Sequence, residues 1–284
     1  MSKKVLVSGA TGQQGGAVVQ ALLKDNHQVI GISRNIDSPK ANALKEQGVE
    51  MVAVDFTDKN SLVNIMQGVD TVFSMTTPFE AGLEHEVKQG ITMANAAKEA
   101  NVGHFIFNSV SDADQTTGIP HFDSKYEVEK HLKTLDLPYT IVAPVYFMEN
   151  LFFPFVLDTI KKEGVLKMAM PADRKLQQIS AVDIGKFVGV AVNEREKMFG
   201  KRINIAGDEL TGDEMAAILT KITGKTVRYE GFDPQFLRSQ SEDIAIMYEW
   251  FIDKGYTSDM DMLQQYDLMS FEAWANKQDW SQLI

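Results

Sequence analysis

Cysteine is absent from this sequence of 284 residues. Its absence excludes disulfides, thiolate metal sites and cysteine nucleophiles, and it fits a protein of the cytoplasm. Long hydrophobic runs are also missing: no uninterrupted apolar stretch approaches the ~20 residues that a membrane-spanning helix needs. No signal-peptide pattern precedes the first strand-like segment. We therefore expect a cytoplasmic protein that does not contact the membrane.

Basic residues are fewer than acidic ones. The chain has 28 lysines and arginines against 39 aspartates and glutamates, which gives a formal net charge of −11. Because nucleic-acid binding needs a basic face, we expect no nucleic-acid partner, although one locally basic cleft can still hold a small anion. The 5 histidines do not have the spacing of zinc ligands, so we expect no metal site.

A glycine-rich turn is present near the start of the chain. An apolar strand pattern runs into Gly9, Gly12 and Gly15, and a helical pattern follows at once. Such a turn brings backbone N–H groups and a helix N-terminus close to a pyrophosphate, and glycine is needed where a side chain would block it. The pattern predicts a dinucleotide-binding site; a tight strand–helix turn without a ligand is the alternative.

Strand and helix patterns alternate along the first part of the chain, which predicts an α/β fold with a doubly wound parallel Rossmann sheet. Strands are expected at Lys4–Ser8, Gln28–Ser33, Glu50–Val54, Thr71–Ser74, His104–Asn108 and Thr140–Ala143. Helices are expected at Gln13–Lys24, Lys40–Glu46, Lys59–Met66, Glu84–Ala100 and Ser124–Leu135. We expect residues 1–150 to form a dinucleotide-binding domain.

The regular alternation ends after Pro144. We expect residues 151–284 to form a smaller C-terminal α/β lobe for a substrate or a partner, with some chain crossing between the two parts. Within this lobe, Thr211 and Glu214 have the spacing of a capping box. The expected elements are a short strand pair at Leu166–Met168 and Gln177–Ile179, helices at Val182–Val192 and Thr211–Ile222, strands at Arg202–Ala206 and Val227–Gly231, and a helical acidic tail at Gln235–Ile284.

The end of the second strand bears on which dinucleotide is bound. An NAD site usually has an aspartate or glutamate there, which accepts hydrogen bonds from the ribose hydroxyls. This chain has Ser33, Arg34 and Asn35 instead, with Lys40 nearby. The planar, permanently charged fork of Arg34 suits a 2′-phosphate, and Ser33 can add a neutral hydrogen bond. We therefore expect NADP(H) in preference to NAD(H), unless Arg34 is only a solvated surface residue.

Residues after the third and fourth strands complete the expected cofactor site. Asp55 and Phe56 follow the third strand, beside the expected position of the adenine. Asp55 either accepts a hydrogen bond from the adenine amino group or forms an acidic turn that caps the next helix. Thr76 and Thr77 follow the fourth strand, which places them near the ribose and the pyrophosphate.

The helix after the fifth strand contains Tyr126 and Lys130, which have the Tyr-x-x-x-Lys spacing of short-chain dehydrogenases. The helical phase argues against that match, because the apolar stripe through Val128 extends back to Lys125, and Tyr126 lies about 100° away. We therefore expect Lys125 to face the sheet and to bind the ribose of the cofactor. His121, one turn earlier, either transfers a proton or closes the wall of the pocket.

Taken together and in order, these motifs resemble the NmrA-like family of atypical short-chain dehydrogenase/reductases. The resemblance is carried by Gly9–Gly15, Ser33–Asn35, Asp55–Asp58, His121–Lys125 and Pro144–Leu151, and it extends to Ser270–Trp274. It implies an NADP-preferring Rossmann domain, a small C-terminal substrate lobe and no catalytic tyrosine at the usual position. The site residues that it implies are Thr11, Gln13 and Gln14 at the pyrophosphate, Lys125 at the nicotinamide ribose, and Tyr146 and Asn150 near the nicotinamide and the substrate pocket.

The family divides into NADPH-dependent reductases of aromatic acceptors and regulators that bind NADP(H) and a protein partner without turnover. We expect an NAD(P)H-dependent oxidoreductase of the quinone-reductase type, which transfers a hydride to a small apolar or aromatic acceptor such as a quinone or an azo dye. A non-catalytic redox sensor that acts through a protein partner is the alternative, although the lack of cysteine excludes sensing by thiols. Both hypotheses fit a monomer or a homodimer.

Overall fold

The computed structural model of this protein describes residues 2–281. The strands are β1 (Lys4–Ser8), β2 (Gln28–Ile32), β3 (Glu50–Val52), β4 (Thr71–Met75), β5 (His104–Asn108), β6 (Tyr139–Pro144), β7 (Tyr146–Phe147), β8 (Val165–Met168), β9 (Leu176–Ile179), β10 (Arg202–Ile205), β11 (Asp208–Leu210) and β12 (Arg228–Gly231). The helices are α1 (Gln13–Lys24), α2 (Pro39–Glu46), α3 (Lys59–Met66), α4 (Pro78–Ala81), α5 (Leu83–Glu99), α6 (Pro120–Thr134), α7 (Pro154–Glu163), α8 (Ala181–Asn193), α9 (Arg195–Met198), α10 (Gly212–Thr223), α11 (Glu242–Asp253), α12 (Met260–Leu263) and α13 (Phe271–Ala275).

The central sheet has seven strands in the order β10-β6-β5-β4-β1-β2-β3. Strands β1 to β6 pair in parallel, with Val5 of β1 opposite Val29 of β2 on one side and Thr71 of β4 on the other. The order of these six strands reverses between β1 and β4, which is the Rossmann arrangement and opens a crevice at the carboxyl ends of the strands. The predicted α/β class with a doubly wound parallel sheet is confirmed.

The chain separates into two compact units. Within the described residues, the first unit comprises 2–116, 120–143 and 181–203, and the second comprises 117–119, 144–180 and 204–281. Helix α8, from the segment expected in the C-terminal lobe, is therefore part of the first unit. It packs closely against α1, because a Cβ atom on Gly185 would lie 2.4 Å from the backbone oxygen of Ala17.

Apolar side chains from the strands and helices form the core of the first unit. Leu6, Phe105 and Phe107 of the strands and Leu62 of α3 are completely buried in one cluster with Leu132 of α6. Strands that are apolar on both faces are expected when helices cover both sides of a parallel sheet. None of the helices within residues 2–281 is long and apolar enough to cross a membrane.

The second unit contains two small sheets, in the orders β11-β9-β7 and β12-β8. The predicted pairing of β8 with β9 is wrong. Strand β8 pairs in parallel with β12, and β9 pairs with β11 and β7. The sequence gives the strands but not their partners, because β12 is more than fifty residues from β8 and reaches it only after α10. The capping box at the start of α10 is confirmed, with Glu214 N donating to Thr211 Oγ1 over 3.2 Å.

Candidate functional site

The glycine-rich turn joins β1 to α1 and depends on two of its glycines in different ways. Gly9 has a φ of +62°, which favours glycine, and its carbonyl oxygen accepts a hydrogen bond from Gly12 N over 2.8 Å. A Cβ atom on Gly15 would lie only 2.2 Å from Gly9 O. Gly15 therefore allows the helix to pack against the turn, whereas Gly9 and Gly12 line the open side.

Helix α1 presents its N-terminus at this turn. Gly12 is the N-cap, and within the described residues no side chain caps it; the first turn, Gln13-Gln14-Gly15, has no acidic residue. The first N–H groups of a helix have no partner inside the helix and carry a partial positive charge. This end of α1 is therefore suited to an anion such as a pyrophosphate.

A cavity of about 800 Å³ lies at the carboxyl ends of β1, β2, β3 and β4. All of the residues that line it belong to the first unit. They are Gly9, Thr11, Gly12, Gln13, Gln14, Ile32, Ser33, Arg34, Ala53, Val54, Asp55, Phe56, Met75, Thr76, Thr77, Glu80, Ala81, His85 and Gln89. The structure therefore brings together most of the cofactor-binding residues that the sequence predicts.

A second, more open cavity of about 760 Å³ adjoins the first, since Thr11, Ser33 and Arg34 line both. Its other lining residues include Lys40 at the start of α2. The Thr11 and Ser33 hydroxyls lie 3.1 Å apart, within hydrogen-bonding distance. Two cationic side chains and two hydroxyls at one recess form a set of donors that suits a phosphate group.

Arg34 has a partner that the sequence did not predict. Its Nη1 atom lies 2.7 Å from Glu80 Oε2, and its Nη2 atom donates to Glu80 Oε1 over 2.9 Å. Glu80 lies on α4, after the fourth strand, and lines the same cavity. The arginine fork is therefore bound by a carboxylate of the protein itself, although 77% of the Arg34 side chain is exposed.

Asp55, Thr76 and Thr77 line the cavity and also bond to the protein. Asp55 Oδ1 accepts from the backbone N and from the hydroxyl of Thr57, over 2.7 and 2.8 Å. These hydrogen bonds lower the pKa of Asp55. Thr77 caps α4 by accepting from Phe79 N, and the Thr76 hydroxyl donates to Glu86 Oε1 over 3.2 Å. Asp55 therefore forms a turn with Thr57, whereas Asp58 is the residue that caps α3, and the role of Asp55 at adenine stays a prediction.

Lys125 lies on the inner face of α6, as the helical phase predicts. Its Nζ atom donates to the backbone oxygen of Thr76 over 2.9 Å and to Glu86 Oε1 over 2.8 Å. Glu86 is completely buried, and Ser124 donates to its other oxygen over 2.5 Å. The ammonium group is thus fixed at the end of β4, beside the threonine that lines the cavity. Contact with a ribose stays a prediction.

Tyr126 and Lys130 do not line the cavity. Lys130 Nζ donates to Glu127 over 2.6 Å and lies 5.4 Å from the centre of the Tyr126 ring. Glu129, three residues after Tyr126 on α6, is completely buried and accepts from Arg202 Nε over 3.0 Å. That face of α6 is therefore partly an internal ion-pair site rather than free surface.

His121 is buried to 8% exposure, one turn before Lys125. The centre of its ring lies 5.7 Å from that of Phe79 on α4 and 4.9 Å from that of Phe122. His121 is not among the residues that line the cavity, so its place in a pocket wall stays a prediction. Proton transfer by His121 stays a prediction.

Tyr146 and Asn150 belong to the second unit, so their position relative to the cofactor stays a prediction. The Tyr146 hydroxyl lies 3.3 Å from that of Tyr248, and the Asn150 side chain also hydrogen-bonds Tyr146. Burial raises the pKa of Tyr146 and raises that of Tyr248 well above its usual value. Both phenols are therefore protonated at neutral pH and can donate hydrogen bonds.

Sequence reasoning missed the contribution of α4 and α5. Glu80, His85 and Gln89 line the cavity, and Glu86 holds Lys125. One signal could have revealed Glu86: it stands four residues before Gly90 on the buried face of α5, where an ionisable side chain needs a partner. No local pattern marks Glu80, because its partner is 46 residues away.

The chain matches the NmrA-like family over residues 1–281. It is 30% identical to an NmrA-like family domain-containing protein of Dictyostelium discoideum, over 98% of this chain and 98% of that protein. It is also 30% identical to quinone oxidoreductase 2 of Escherichia coli, over 80% of this chain and 77% of that protein.

Solved structures give the same relationship. The triphenylmethane reductase of Citrobacter sp., complexed with NADP(H), aligns with a TM-score of 0.82 and 25% identity, over 95% of this chain and 98% of that chain. The negative transcriptional regulator NmrA, in complex with NAD, aligns with a TM-score of 0.79 over 97% of this chain and 95% of that chain; at 18% identity it shows only that the fold is shared. The chain belongs to the NmrA-like family.

Proposed function

We propose that this protein is an NADPH-dependent oxidoreductase that reduces a flat, apolar acceptor such as a quinone or an azo dye. The observation that carries the proposal is the cavity at the ends of β1 to β4, where an uncapped helix N-terminus and the recess of Arg34 and Lys40 adjoin. Two separate sites for anionic groups in one crevice are what a dinucleotide with an additional phosphate requires.

The residues present fit NADP(H). Gly12 and Gly15 allow backbone and helix to come close to a pyrophosphate, and any Cβ on Gly15 would collide with the turn. Arg34 and Lys40 supply charge for the 2′-phosphate, where an NAD site would have a carboxylate at the end of β2. We therefore propose NADP(H) as the preferred cofactor. When bound, it supplies the hydride for the reduction.

Lys125 has the role of a fixed hydrogen-bond donor in this proposal. An ammonium group has three N–H donors, and Glu86 and the Thr76 carbonyl accept two of them. The third can bind a ribose hydroxyl and so orient the nicotinamide end of the cofactor. Because Glu86 is completely buried, the position of the ammonium group is set by the protein and not by solvent.

No protein acid has to protonate the acceptor while the hydride arrives, because a quinone or a dye can delocalise the added charge. The protein then contributes binding, orientation and exclusion of water. A tyrosine is protonated at neutral pH and burial raises the pKa of Tyr146 further, so its phenol is a hydrogen-bond donor within the second unit. The names of two relatives support an acceptor of this class: one is a quinone oxidoreductase and the other reduces triphenylmethane dyes.

The test is oxidation of NADPH by the purified protein in the presence of quinones, azo dyes and small aldehydes. We expect turnover with at least one planar acceptor, and we expect Lys125→Ala to lower kcat/KM by about 10²-fold, because a misplaced cofactor loses the benefit of orientation. Lys130→Ala is the matched control, since Lys130 is on the same helix but pairs with Glu127. Turnover that is unchanged in Lys125→Ala would remove this lysine from the mechanism.

A regulator that binds NADP(H) without turnover is the second candidate function. The observation that favours it is on α4: Phe79 is 71% exposed and precedes Glu80, whose partner Arg34 is at the cofactor site. A protein partner that contacts Phe79 can therefore respond to the state of this site. Tight NADPH binding, slower hydrogen exchange in residues 77–82 with cofactor, and no turnover with any acceptor would favour this function.

A further inference from the structure

Glu80 is one of two carboxylates among the residues that line the first cavity, and the other, Asp55, already accepts two hydrogen bonds from Thr57. Glu80 lines the same cavity as the N-terminus of α1, and its carboxylate binds both terminal nitrogens of Arg34. A carboxylate at this point therefore has a consequence for the ligand.

The pair is weak enough to be opened by a ligand. The Arg34 side chain is 77% exposed and that of Glu80 is 52% exposed, so water competes with the interaction and screens it. A phosphate binds a guanidinium fork through the same charge-assisted, bidentate hydrogen bonds as a carboxylate and carries more negative charge. A 2′-phosphate can thus displace Glu80, but it must compete with Glu80 for Arg34.

The two nicotinamide cofactors meet Glu80 differently. A 2′-phosphate that reaches Arg34 comes within a few ångströms of the Glu80 carboxylate, and two negative groups at that distance repel each other. The free 2′-hydroxyl of NADH carries no charge and can donate a hydrogen bond to a carboxylate, as it does to the acidic residue of an NAD site. Glu80 is therefore unfavourable for NADPH and neutral or favourable for NADH.

We propose that Glu80 is a specificity-determining residue that reduces the preference for NADPH created by Arg34. The inference rests on the proposed function, namely that Arg34 binds the 2′-phosphate. Arg34 and Glu80 then work as an opposed pair, and the cofactor preference of the protein is the difference between their effects. A chain with Arg34 but without this carboxylate discriminates more strongly against NADH.

Because of the position of Glu80, its substitution by glutamine tests the charge alone. Glu80 is in the single turn of α4, between the Thr77 cap and Gly82, whose φ of +89° fixes the following turn. Its side chain is half exposed, so Glu80→Gln changes the charge and leaves the backbone and the core unchanged. Glu84→Gln is the matched control: it removes one negative charge from the exposed start of α5, and Glu84 does not line the cavity.

The experiment measures the Kd of NADPH and of NADH, by nicotinamide fluorescence at low ionic strength, for the full-length protein and its variants. We expect Glu80→Gln to tighten NADPH binding about three- to tenfold, from the loss of competition and repulsion, and to leave NADH unchanged or weaker. The ratio of the Kd of NADH to the Kd of NADPH should rise less on Glu80→Gln when Arg34 has already been replaced by alanine, because the Glu80 carboxylate acts partly through the arginine. The gain should shrink at high salt.

The outcomes distinguish the role of Glu80 from the proposal that Arg34 binds the 2′-phosphate. An unchanged Kd ratio in Glu80→Gln, or an equal gain in Glu84→Gln, overturns the role of Glu80, while Arg34→Ala still reports on the phosphate site. If Arg34→Ala instead weakens NADPH and NADH equally, the phosphate site itself is misassigned and the inference fails with it. The proposal is supported if Glu80→Gln raises the ratio of the Kd of NADH to the Kd of NADPH, if this rise requires Arg34, and if Glu84→Gln does not produce it.

Discussion

At the scale of single residues, the ion pair between Glu86 and Lys125 combines a structural role with a functional one. Glu86 is completely buried and Lys125 is 12% exposed, so each charge depends on the other for compensation. Ser124 and Thr76 also donate to Glu86, which satisfies the remaining acceptor sites of the carboxylate. Removal of one partner of a buried pair is much more costly than removal of both, because it leaves an uncompensated charge.

We therefore predict that Glu86→Gln lowers the free energy of unfolding by about 3 kcal/mol, and that Lys125→Met does the same. The double variant should lose less than the sum of the two, since no buried charge is left unpaired. Urea unfolding of the four proteins measures this coupling. If the loss in the double variant equals the sum of the two single losses in free energy of unfolding, the two charges are solvated and do not depend on each other.

The same residues link stability to the cofactor. If Glu86 positions Lys125 for the ribose, the KM for NADPH should rise in Glu86→Gln even under conditions where the variant is fully folded. A change in stability with no change in KM would restrict Glu86 to a structural role. Glu80, on the preceding short helix α4, lines the cavity and binds Arg34, so the two glutamates hold different cationic side chains.

At the scale of elements, close backbone contacts fix the shape of the turn from β1 to α1, where we propose that the cofactor binds. A Cβ atom on Gly15 would lie 2.2 Å from Gly9 O, 2.5 Å from Gly9 C and 2.7 Å from Ser8 O, and none of these backbone atoms can rotate away. The neighbouring Gly16 differs, because its Cβ would meet only Ala10 O at 3.4 Å, an ordinary contact. The two glycines therefore offer a matched pair on one helix.

We predict that Gly15→Ala lowers the free energy of unfolding by about 2 to 3 kcal/mol through overpacking and weakens NADPH binding, because the turn must move away from the helix. Gly16→Ala should instead raise the free energy of unfolding by up to about 1 kcal/mol, since alanine favours the helix interior. Thermal unfolding and NADPH titration of both variants test this. Equal effects of the two substitutions would contradict the geometry.

The sequence predicted the elements around this turn closely because their signals are local. Helix α1 was expected at Gln13–Lys24 and β5 at His104–Asn108, and the structure has both with these bounds. A parallel strand with apolar residues on both faces and a helix with one apolar stripe are each visible within about a dozen residues. The glycine spacing predicts the dinucleotide site at the turn that precedes α1.

What the sequence could not predict depends on contacts between distant segments. The sequence predicts strands β8 and β9 correctly, but the prediction that they pair with each other is wrong, because their pairing depends on where β11 and β12 lie in the fold. In the cavity, the side chains on α4 and α5 were missed for the same reason. Glu80 and Glu86 become functional candidates only when the fold brings Arg34 and Lys125 to them, across 46 and 39 residues of chain.

At the scale of the whole molecule, the chain has an excess of acidic residues. The formal net charge is −11, yet Arg34 and Lys40 line the expected phosphate recess. An acidic surface repels an anionic dinucleotide at long range, and the effect is screened beyond about 8 Å at physiological salt. Binding therefore depends on short-range donors at the end of the sheet, which explains why a single carboxylate such as Glu80 can alter the preference.

The pH dependence of stability gives a prediction for the molecule as a whole, and it centres on His104 in β5. This side chain is completely buried, and its Nε2 atom lies 2.8 Å from Thr140 Oγ1. The Thr140 hydroxyl donates to the carbonyl oxygen of Met198, so it accepts from Nε2–H of His104. Burial, together with the charge of Arg195, lowers the pKa of His104 from 6.5 to about 3.

The sign follows from the two pKa values. Between pH 6.5 and pH 3 the unfolded chain binds a proton at His104 that the folded protein does not bind. The contribution of His104 to the free energy of unfolding is therefore fully present above pH 6.5 and is lost as the pH falls below that value. Between pH 7 and pH 5 this residue alone should lower the free energy of unfolding by about 2 kcal/mol. His104→Gln lacks the titrating group and should lose correspondingly less over the same interval. Urea unfolding of both proteins at the two pH values isolates the effect, because carboxylates contribute equally to both, and parallel pH profiles would show that His104 is hydrated in the folded state.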